Sequence, residues 1–153
     1  YFGIALGKSL SSFFFGLLSL TTTLAVVWIF FSIPPHNLLL LAFTIVCAAL
    51  QFSSMGVLLS FAVKDPAQAM TIFNSIRFPM MFLSNMIIPV TRFPPYLTSI
   101  SFAIPLTYSV EAIRYALVGS YDVIPPQIAL TVTIISFLAF LYFAKVMIEK
   151  SIP

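Results

Sequence analysis

Charge is the scarcest feature of this sequence: only 7% of its 153 residues are Asp, Glu, Lys or Arg, against about 25% in an average soluble domain. Cysteine and histidine occur once each, as Cys47 and His36. A lone cysteine, with no Cys or His at ligand spacing, excludes a disulfide framework and argues against a zinc site. We interpret Cys47 as a packing residue and assign His36 no role.

Two motifs with clear functions are also missing. The five glycines form no Gly-x-x-x-x-Gly-Lys-Ser/Thr phosphate cradle, and no acidic pair stands near one to hold magnesium. The seven Lys and Arg residues are scattered along the chain rather than clustered. We therefore expect no ATP hydrolysis by this chain, no cofactor or metal bound to it, and no nucleic-acid partner.

Apolar residues fill the sequence instead: 61% are hydrophobic and the mean hydropathy is +1.11. A helix needs roughly 20 mainly apolar residues to cross a bilayer. The sequence predicts one all-α transmembrane domain over residues 1–153, a helical bundle with about four spanning helices, at residues 9–33, 37–63, 69–88 and 124–147. Because the chain begins at Tyr1, directly in apolar sequence, we expect it to be a piece of a longer protein.

The basic residues predict the orientation. On the four-span topology, one side holds Lys8, Lys64, Lys145 and Lys150, and Arg77, in the first turns of the third span, is expected to snorkel there. The other side holds Arg92 and Arg114. The positive-inside bias then puts both ends of the chain in the cytoplasm, and a multi-pass protein of the plasma membrane is expected.

Residues 89–119 differ from both a hydrophilic loop and a span, because they are apolar and aromatic but interrupted by Pro89, Pro94, Pro95 and Pro105. Proline disfavours helix in the residue before it. We predict two short re-entrant helices on the outer side, Phe93 to Ile104 and Leu106 to Val118, the second ended by Gly119. Glu111 and Arg114, three residues apart, are expected to pair.

One ordered block of short motifs resembles the permeases of ABC-2 type transporters. It runs Asp65, then Ser84-Asn85-Met86-Ile87-Ile88-Pro89, then Phe93-Pro94-Pro95-Tyr96-Leu97, then Pro105-Leu106-Thr107-Tyr108, and then Glu111 and Arg114. Two positions depart from the family pattern: Asn85 stands where glycine is usual, and Ile104 stands where asparagine is usual.

The resemblance implies spans three to six of a six-span permease, about its C-terminal two-thirds. It further implies a dimer of permease subunits, homomeric or heteromeric, working with separate ABC ATPase subunits that bind ATP and Mg²⁺. The chain would form the pathway by which an unidentified exported solute crosses the membrane, with membrane lipid around it. Residues expected to contact the ATPase are Tyr1, Phe2, Lys8, Lys64 and Asp65, with Phe2 to Lys8 as the tail of a cytoplasmic loop.

Polar side chains within the spans are candidates for the substrate pathway: Thr21, Thr22, Thr23, Gln51, Ser53, Ser54, Ser84 and Asn85. The alternative is that such groups join helices, since small polar residues allow close approach and hydrogen bonding between transmembrane helices. The gate candidates are Pro89, Pro94, Pro95, Pro105, Tyr108, Glu111 and Arg114.

Other functional classes stay open. A secondary transporter would use ion-coupling carboxylates in mid-span, and we see none there. A non-transporting membrane scaffold needs no specific residues. An intramembrane enzyme needs a nucleophile with a base, or paired acids, within the spans, and we find neither.

Overall fold

A computed structural model describes residues 2–31, 35–63 and 65–151, and over these ranges the chain is helical, with no β-strand. The order of elements is α1 (Phe2–Phe31), α2 (Leu38–Ala62), α3 (Pro66–Leu83), a 3₁₀ turn (Val90–Arg92), α4 (Pro95–Ala103), α5 (Pro105–Val118) and α6 (Pro126–Ser151). The predicted all-α helical bundle is confirmed.

Local sequence explains where the helices begin. Proline occupies the first turn of α3, α4 and α5 and is the first residue of α6, a position where its missing N–H costs no hydrogen bond. Asn37 caps α2, since its side chain accepts a 3.0 Å bond from the Leu40 N–H. Asp65 caps α3 in the same way, at 3.1 Å from the Ala67 nitrogen. Both caps satisfy N–H groups that a helix start leaves free.

The bundle is apolar outside and partly polar inside. Phe15 is 79% exposed and Leu39 83%, whereas Gln51 and Glu111 are fully buried. A soluble protein rarely shows apolar surface on this scale, and lipid is the solvent that accepts it. The protein is therefore a membrane protein.

Three helices among the described residues are long and apolar enough to cross a membrane, over Gly7–Phe30, Leu38–Ala62 and Pro126–Glu149. They correspond to the predicted spans 9–33, 37–63 and 124–147. The predicted span 69–88 corresponds to α3, which has 18 residues and a length of about 27 Å. It starts three residues earlier than predicted, at the Asp65 cap, and ends at Leu83. Crossing by α3 stays a prediction.

Helix α2 is the centre of the packing: it lies most extensively against α6 and also contacts α1, α5 and α3. At one end of the bundle, the Lys8 ammonium lies 4.3 Å from the centre of the Phe61 ring, and Phe61 packs against Leu141 and Ile148. At the other end, the His36 N–H donates to the Leu117 carbonyl at 3.0 Å. The start of α1 and the ends of α2 and α6 therefore share one end of the bundle.

The N-terminal segment differs from its prediction. Phe2 to Lys8 was expected to be the tail of a loop, but these residues form the first two turns of α1. No proline interrupts them, and their glycines weaken a helix by only about 1 kcal/mol each. Tyr1, Lys64 and the side chains of Phe2 and Thr23 lie outside the described part of the protein.

Candidate functional site

Helices α4 and α5 form what we call the outer helix pair, after its predicted side of the membrane, and each is too short to cross a bilayer. Its members have 9 and 14 residues, or about 14 and 21 Å, against a hydrocarbon core of about 30 Å. Their boundaries lie within two residues of the predicted ones.

Helix α5 runs alongside α2. Ser109, in its second turn, donates a 2.5 Å hydrogen bond to Gln51 Oε1, near the middle of α2. Leu117, in its last turn, accepts from His36, just before α2 begins. The pair therefore reaches the middle of the bundle and returns to the end that holds His36.

Side-chain to backbone bonds join the two short helices at their turn. Thr107 Oγ1 donates to the Ser101 carbonyl at 2.6 Å, and the Tyr108 hydroxyl donates to the Phe102 carbonyl at 2.8 Å. Ile104, at the N-cap of α5, makes no side-chain cap bond. Asparagine, usual at this position in the family that the sequence resembles, is a favoured cap residue, so these two bonds hold the turn without it.

A charge cluster joins the segment after α3, helix α5 and the segment before α6. We define it as Asn85, Glu111, Arg114 and Asp122. Glu111 is fully buried and lies 3.5 Å from the Arg114 guanidinium. Arg114 also pairs with the Asp122 carboxylate through Nη1 and donates to the Asn85 carbonyl at 2.6 Å through Nη2. The predicted contact between Glu111 and Arg114 is confirmed, and it is one part of a larger network.

The two remaining members complete the network around Glu111. The Asn85 amide donates to Glu111 Oε1, and the Asp122 N–H donates to Glu111 Oε2 at 3.0 Å. Every charged group of the cluster thus has a partner, and buried charge requires such pairing. This arrangement ties the end of α3, the middle of α5 and the approach to α6, which is a mechanical role rather than a catalytic one.

Asn85 explains why α3 ends before the predicted residue 88. Its φ is +63°, in the left-handed region that asparagine tolerates better than most residues other than glycine. Its Oδ1 accepts a 2.9 Å bond from the Val90 N–H. The position where the resembled family usually has glycine is thus one whose backbone favours glycine. The asparagine side chain adds three bonds there, to the Val90 N–H, to Glu111 and, at 3.4 Å, to Asp122.

Gly119 ends α5 in the left-handed conformation expected of a C-cap glycine, with φ +79°. A Cβ placed there would lie 3.0 Å from Cγ of His36. Gly119 therefore allows the close approach of the segment before α2 to the end of α5. The sequence assigned His36 no role, and the structure gives it this packing contact.

The predicted pathway residues do not gather at one place. Thr21 and Thr22 are exposed and donate to carbonyls one turn back, at 2.8 and 2.9 Å. Ser53 is buried and donates to the Ser9 carbonyl, which joins α2 to α1. Ser54 is buried and bonds the Gln51 carbonyl at 2.8 Å. Only the Ser53 bond joins two helices, as the alternative of helix association expects, and the other three bonds stay within one helix. Ser84 and Asn85 lie at the end of α3.

Gln51 is the exception among these residues. Its side chain is fully buried, and its Nε2 has no hydrogen-bond partner. Ser109 bonds its Oε1 and lies 3.4 Å from the Thr133 hydroxyl. Polar groups from α2, α5 and α6 therefore meet in the interior of the bundle.

The predicted ATPase-contact residues that are described, Lys8 and Asp65, both lie near the end of the bundle opposite His36. Lys8 is exposed above Phe61, and Asp65 is exposed at the start of α3. Within the described ranges, no group of three or more His, Cys, Asp or Glu side chains is placed to hold a metal ion.

Sequence reasoning missed Asp122, the second carboxylate of the charge cluster. A signal was available, because Glu111 and Asp122 are the only acids on the predicted outer side and face two arginines there. Ser109 and Thr133 were missed as well. Isolated hydroxyl residues of this kind carry no distinguishing pattern in an apolar sequence.

Comparison with known protein families gives a match over most of the chain. The model of the family described as ABC-2 type transporter matches residues 1–118, which run from the start of α1 to the end of α5. The curated proteins and the solved structures gave no match.

Proposed function

Because the chain belongs to the ABC-2 type transporter family, we propose that it forms the membrane pathway of an ATP-driven exporter, as one half of a dimer coupled to separate ATPase subunits. The family membership makes it a permease component of ABC-type transport, located in a membrane. Direction of transport, dimer and coupling are the proposed parts.

The observation that carries the proposal is the outer helix pair with its charge cluster. The pair enters the bundle, reaches Gln51 and returns, so it can close a pathway without crossing the membrane. Non-spanning backbone at membrane depth is tolerated where protein buries it or water reaches it. We assign this pair the role of the outer gate, with Arg114 as the residue that holds it in shape.

Coupling would act at the opposite end of the bundle. Lys8 and Asp65 are exposed there, and a partner that binds one conformation better than the other shifts the equilibrium between them. The same end would face the cytoplasm of the plasma membrane, since it also carries Lys145, paired with Glu149 at 3.6 Å. Helix α3 would complete four crossings.

The test is co-expression of the full-length protein with the ABC ATPase from the adjacent reading frame. We expect a tag on the permease to retain the ATPase, and ATP hydrolysis to require the ATPase subunit. Asp65→Ala should weaken retention, whereas Lys145→Ala, at the same end, serves as the matched control. If no complex forms with any neighbouring ATPase, the proposal fails.

A further inference from the structure

A cavity of about 330 Å³ lies between α2, α3 and α5, and none of the candidate residues discussed so far lines it. Its volume is within the range of small-molecule pockets in proteins. The aromatic rings of Phe52 and Phe73 form part of its wall. None of its lining residues belongs to the charge cluster of the outer helix pair.

Methionine dominates the wall. Met55, Met80, Met81 and Met86 all contribute, which is four of the six methionines in the sequence. Methionine is unbranched and polarizable, and proteins use it where a surface must adapt to varied apolar shapes. This wall therefore suits a flexible apolar chain better than a rigid apolar ligand.

One cation interrupts the apolar wall. Arg77 lines the cavity and is the twelfth residue of α3, about 17 Å along the helix from Pro66. The sequence placed it in the first turns of its span, within reach of the Lys64 side. The earlier start of α3 moves it into the fourth turn, beside residues near the middle of α2.

None of the four Asp and Glu side chains, all of which the structure describes, neutralises Arg77. Glu111 and Asp122 pair with Arg114, and Glu149 pairs with Lys145. Asp65 caps α3 three turns away. Among the described residues, Arg77 has no hydrogen bond or ion pair. Arg77 is exposed on α3, and with α3 crossing the bilayer as proposed it lies at membrane depth. A cation there is costly unless it pairs or meets water, and such residues mark binding sites and pathways.

We propose that this cavity binds an amphiphile with an acidic head group, which pairs with Arg77 while its apolar chain lies among the methionines. Guanidinium recognises carboxylate and phosphate through charge-assisted hydrogen bonds. The adaptable wall contributes apolar contact without selecting one chain. The proposal rests on the proposed crossing of α3 but requires neither nucleotide nor an ATPase, so failure of the ATPase complex to form would leave it intact.

The test uses the full-length protein in phosphatidylcholine nanodiscs and a photoactivatable alkyl carboxylate. We expect labelled residues to fall within 52–55 or 73–86. Dodecanoate should compete at a concentration roughly tenfold lower than dodecanol, and dodecylamine should compete no better than dodecanol. Equal competition by the three compounds, or labelling confined to other segments, would overturn the proposal.

Three variants locate the selectivity. Arg77→Gln should remove the preference for dodecanoate, whereas Arg77→Lys should keep most of it. Arg92→Gln removes an exposed arginine outside the cavity and should behave as the unmodified protein. A preference that survives in Arg77→Gln would exclude Arg77 as its origin. If Arg77→Gln does not fold, the competition in the unmodified protein still decides between an anion site and a purely apolar one.

A second arm identifies the source of the ligand. Phosphatidylglycerol added to the nanodiscs should reduce labelling if an anionic bilayer lipid occupies the cavity. This reduction should persist in Arg77→Lys and vanish in Arg77→Gln. Unchanged labelling identifies a free single-chain amphiphile instead. Both results support an acidic head group as the recognised chemistry, and the dodecanol comparison remains the arm that can refute it.

Discussion

Replacing Arg114 with alanine tests the charge cluster directly, because Arg114 is its only cation. The guanidinium contacts Glu111, Asp122 and the Asn85 carbonyl. Without it, two carboxylates remain near each other, and Glu111 is fully buried. We expect the end of α3 and the approach to α6 to lose their common anchor on α5.

The magnitude follows from burial. Removing one partner of a buried ion pair costs about 3–5 kcal/mol. The Asp122 side chain is 38% exposed, so its pair with Arg114 adds less than about 1 kcal/mol. Glu111 keeps two donors, the Asn85 amide and the Asp122 N–H. We therefore expect a loss near the lower limit, about 3 kcal/mol, or a melting temperature lower by about 6–12 °C.

The assay is thermal unfolding of the detergent-solubilised full-length protein, followed by size-exclusion chromatography after heating. Arg92→Ala is the matched control, since Arg92 is exposed in the 3₁₀ turn before α4. Arg114→Lys should fall between the two, because a lysine keeps the charge but lacks the two-pronged geometry. A surface substitution is expected to change the melting temperature by only about 1–2 °C. If the melting temperatures of Arg114→Ala and Arg92→Ala differ by no more than that, the reasoning is refuted.

Three further predictions use the same melting assay. Gly119→Ala should cost about 1–2 kcal/mol, because of its positive φ and the histidine ring that faces it, whereas Gly56→Ala, with open space around its Cβ, should be neutral or stabilising. Asn85→Ala should be about 1 kcal/mol worse than Asn85→Gly, since both lose the side-chain bonds and only alanine strains the backbone. Ser109→Ala should cost about 1 kcal/mol, because it leaves the Gln51 amide without its one partner.

Each of these has a contrary outcome. Equal melting temperatures of Gly119→Ala and Gly56→Ala would show that the end of α5 does not require glycine. Asn85→Ala as stable as Asn85→Gly would mean that the left-handed turn contributes nothing. Ser109→Ala with unchanged melting, compared with Ser99→Ala at an exposed position, would mean that the contact with Gln51 does not hold α5 against α2.

Most of the fold could be predicted from the sequence, because its signals are local. Apolar runs of spanning length defined α1, α2 and α6, and proline and glycine marked the short helices between α3 and α6. The ends of α3 were less accurate. The Asp65 cap and the left-handed turn at Asn85 set them, and hydropathy does not register either feature.

The candidate site was predicted only in part, because its contacts are distant in sequence. Glu111 and Arg114 are one helical turn apart, so their pairing could be read directly. Asp122 lies beyond the end of α5, and its place beside Arg114 depends on how the chain turns at Gly119. The cavity around Arg77 depends on the tertiary arrangement of α2, α3 and α5, which no local pattern encodes.

The central claim is that the outer helix pair enters and leaves on one side of the membrane, opposite the end proposed to contact the ATPase. Single cysteines at Ser99, Tyr121, Asp65 and Glu149, all exposed positions, test it in a background where Cys47 is alanine. The measurement is labelling of intact cells with a membrane-impermeant maleimide. We expect Ser99→Cys and Tyr121→Cys to be labelled from outside, and Asp65→Cys and Glu149→Cys only after permeabilisation. Labelling of Ser99→Cys and Tyr121→Cys from opposite sides would contradict the account.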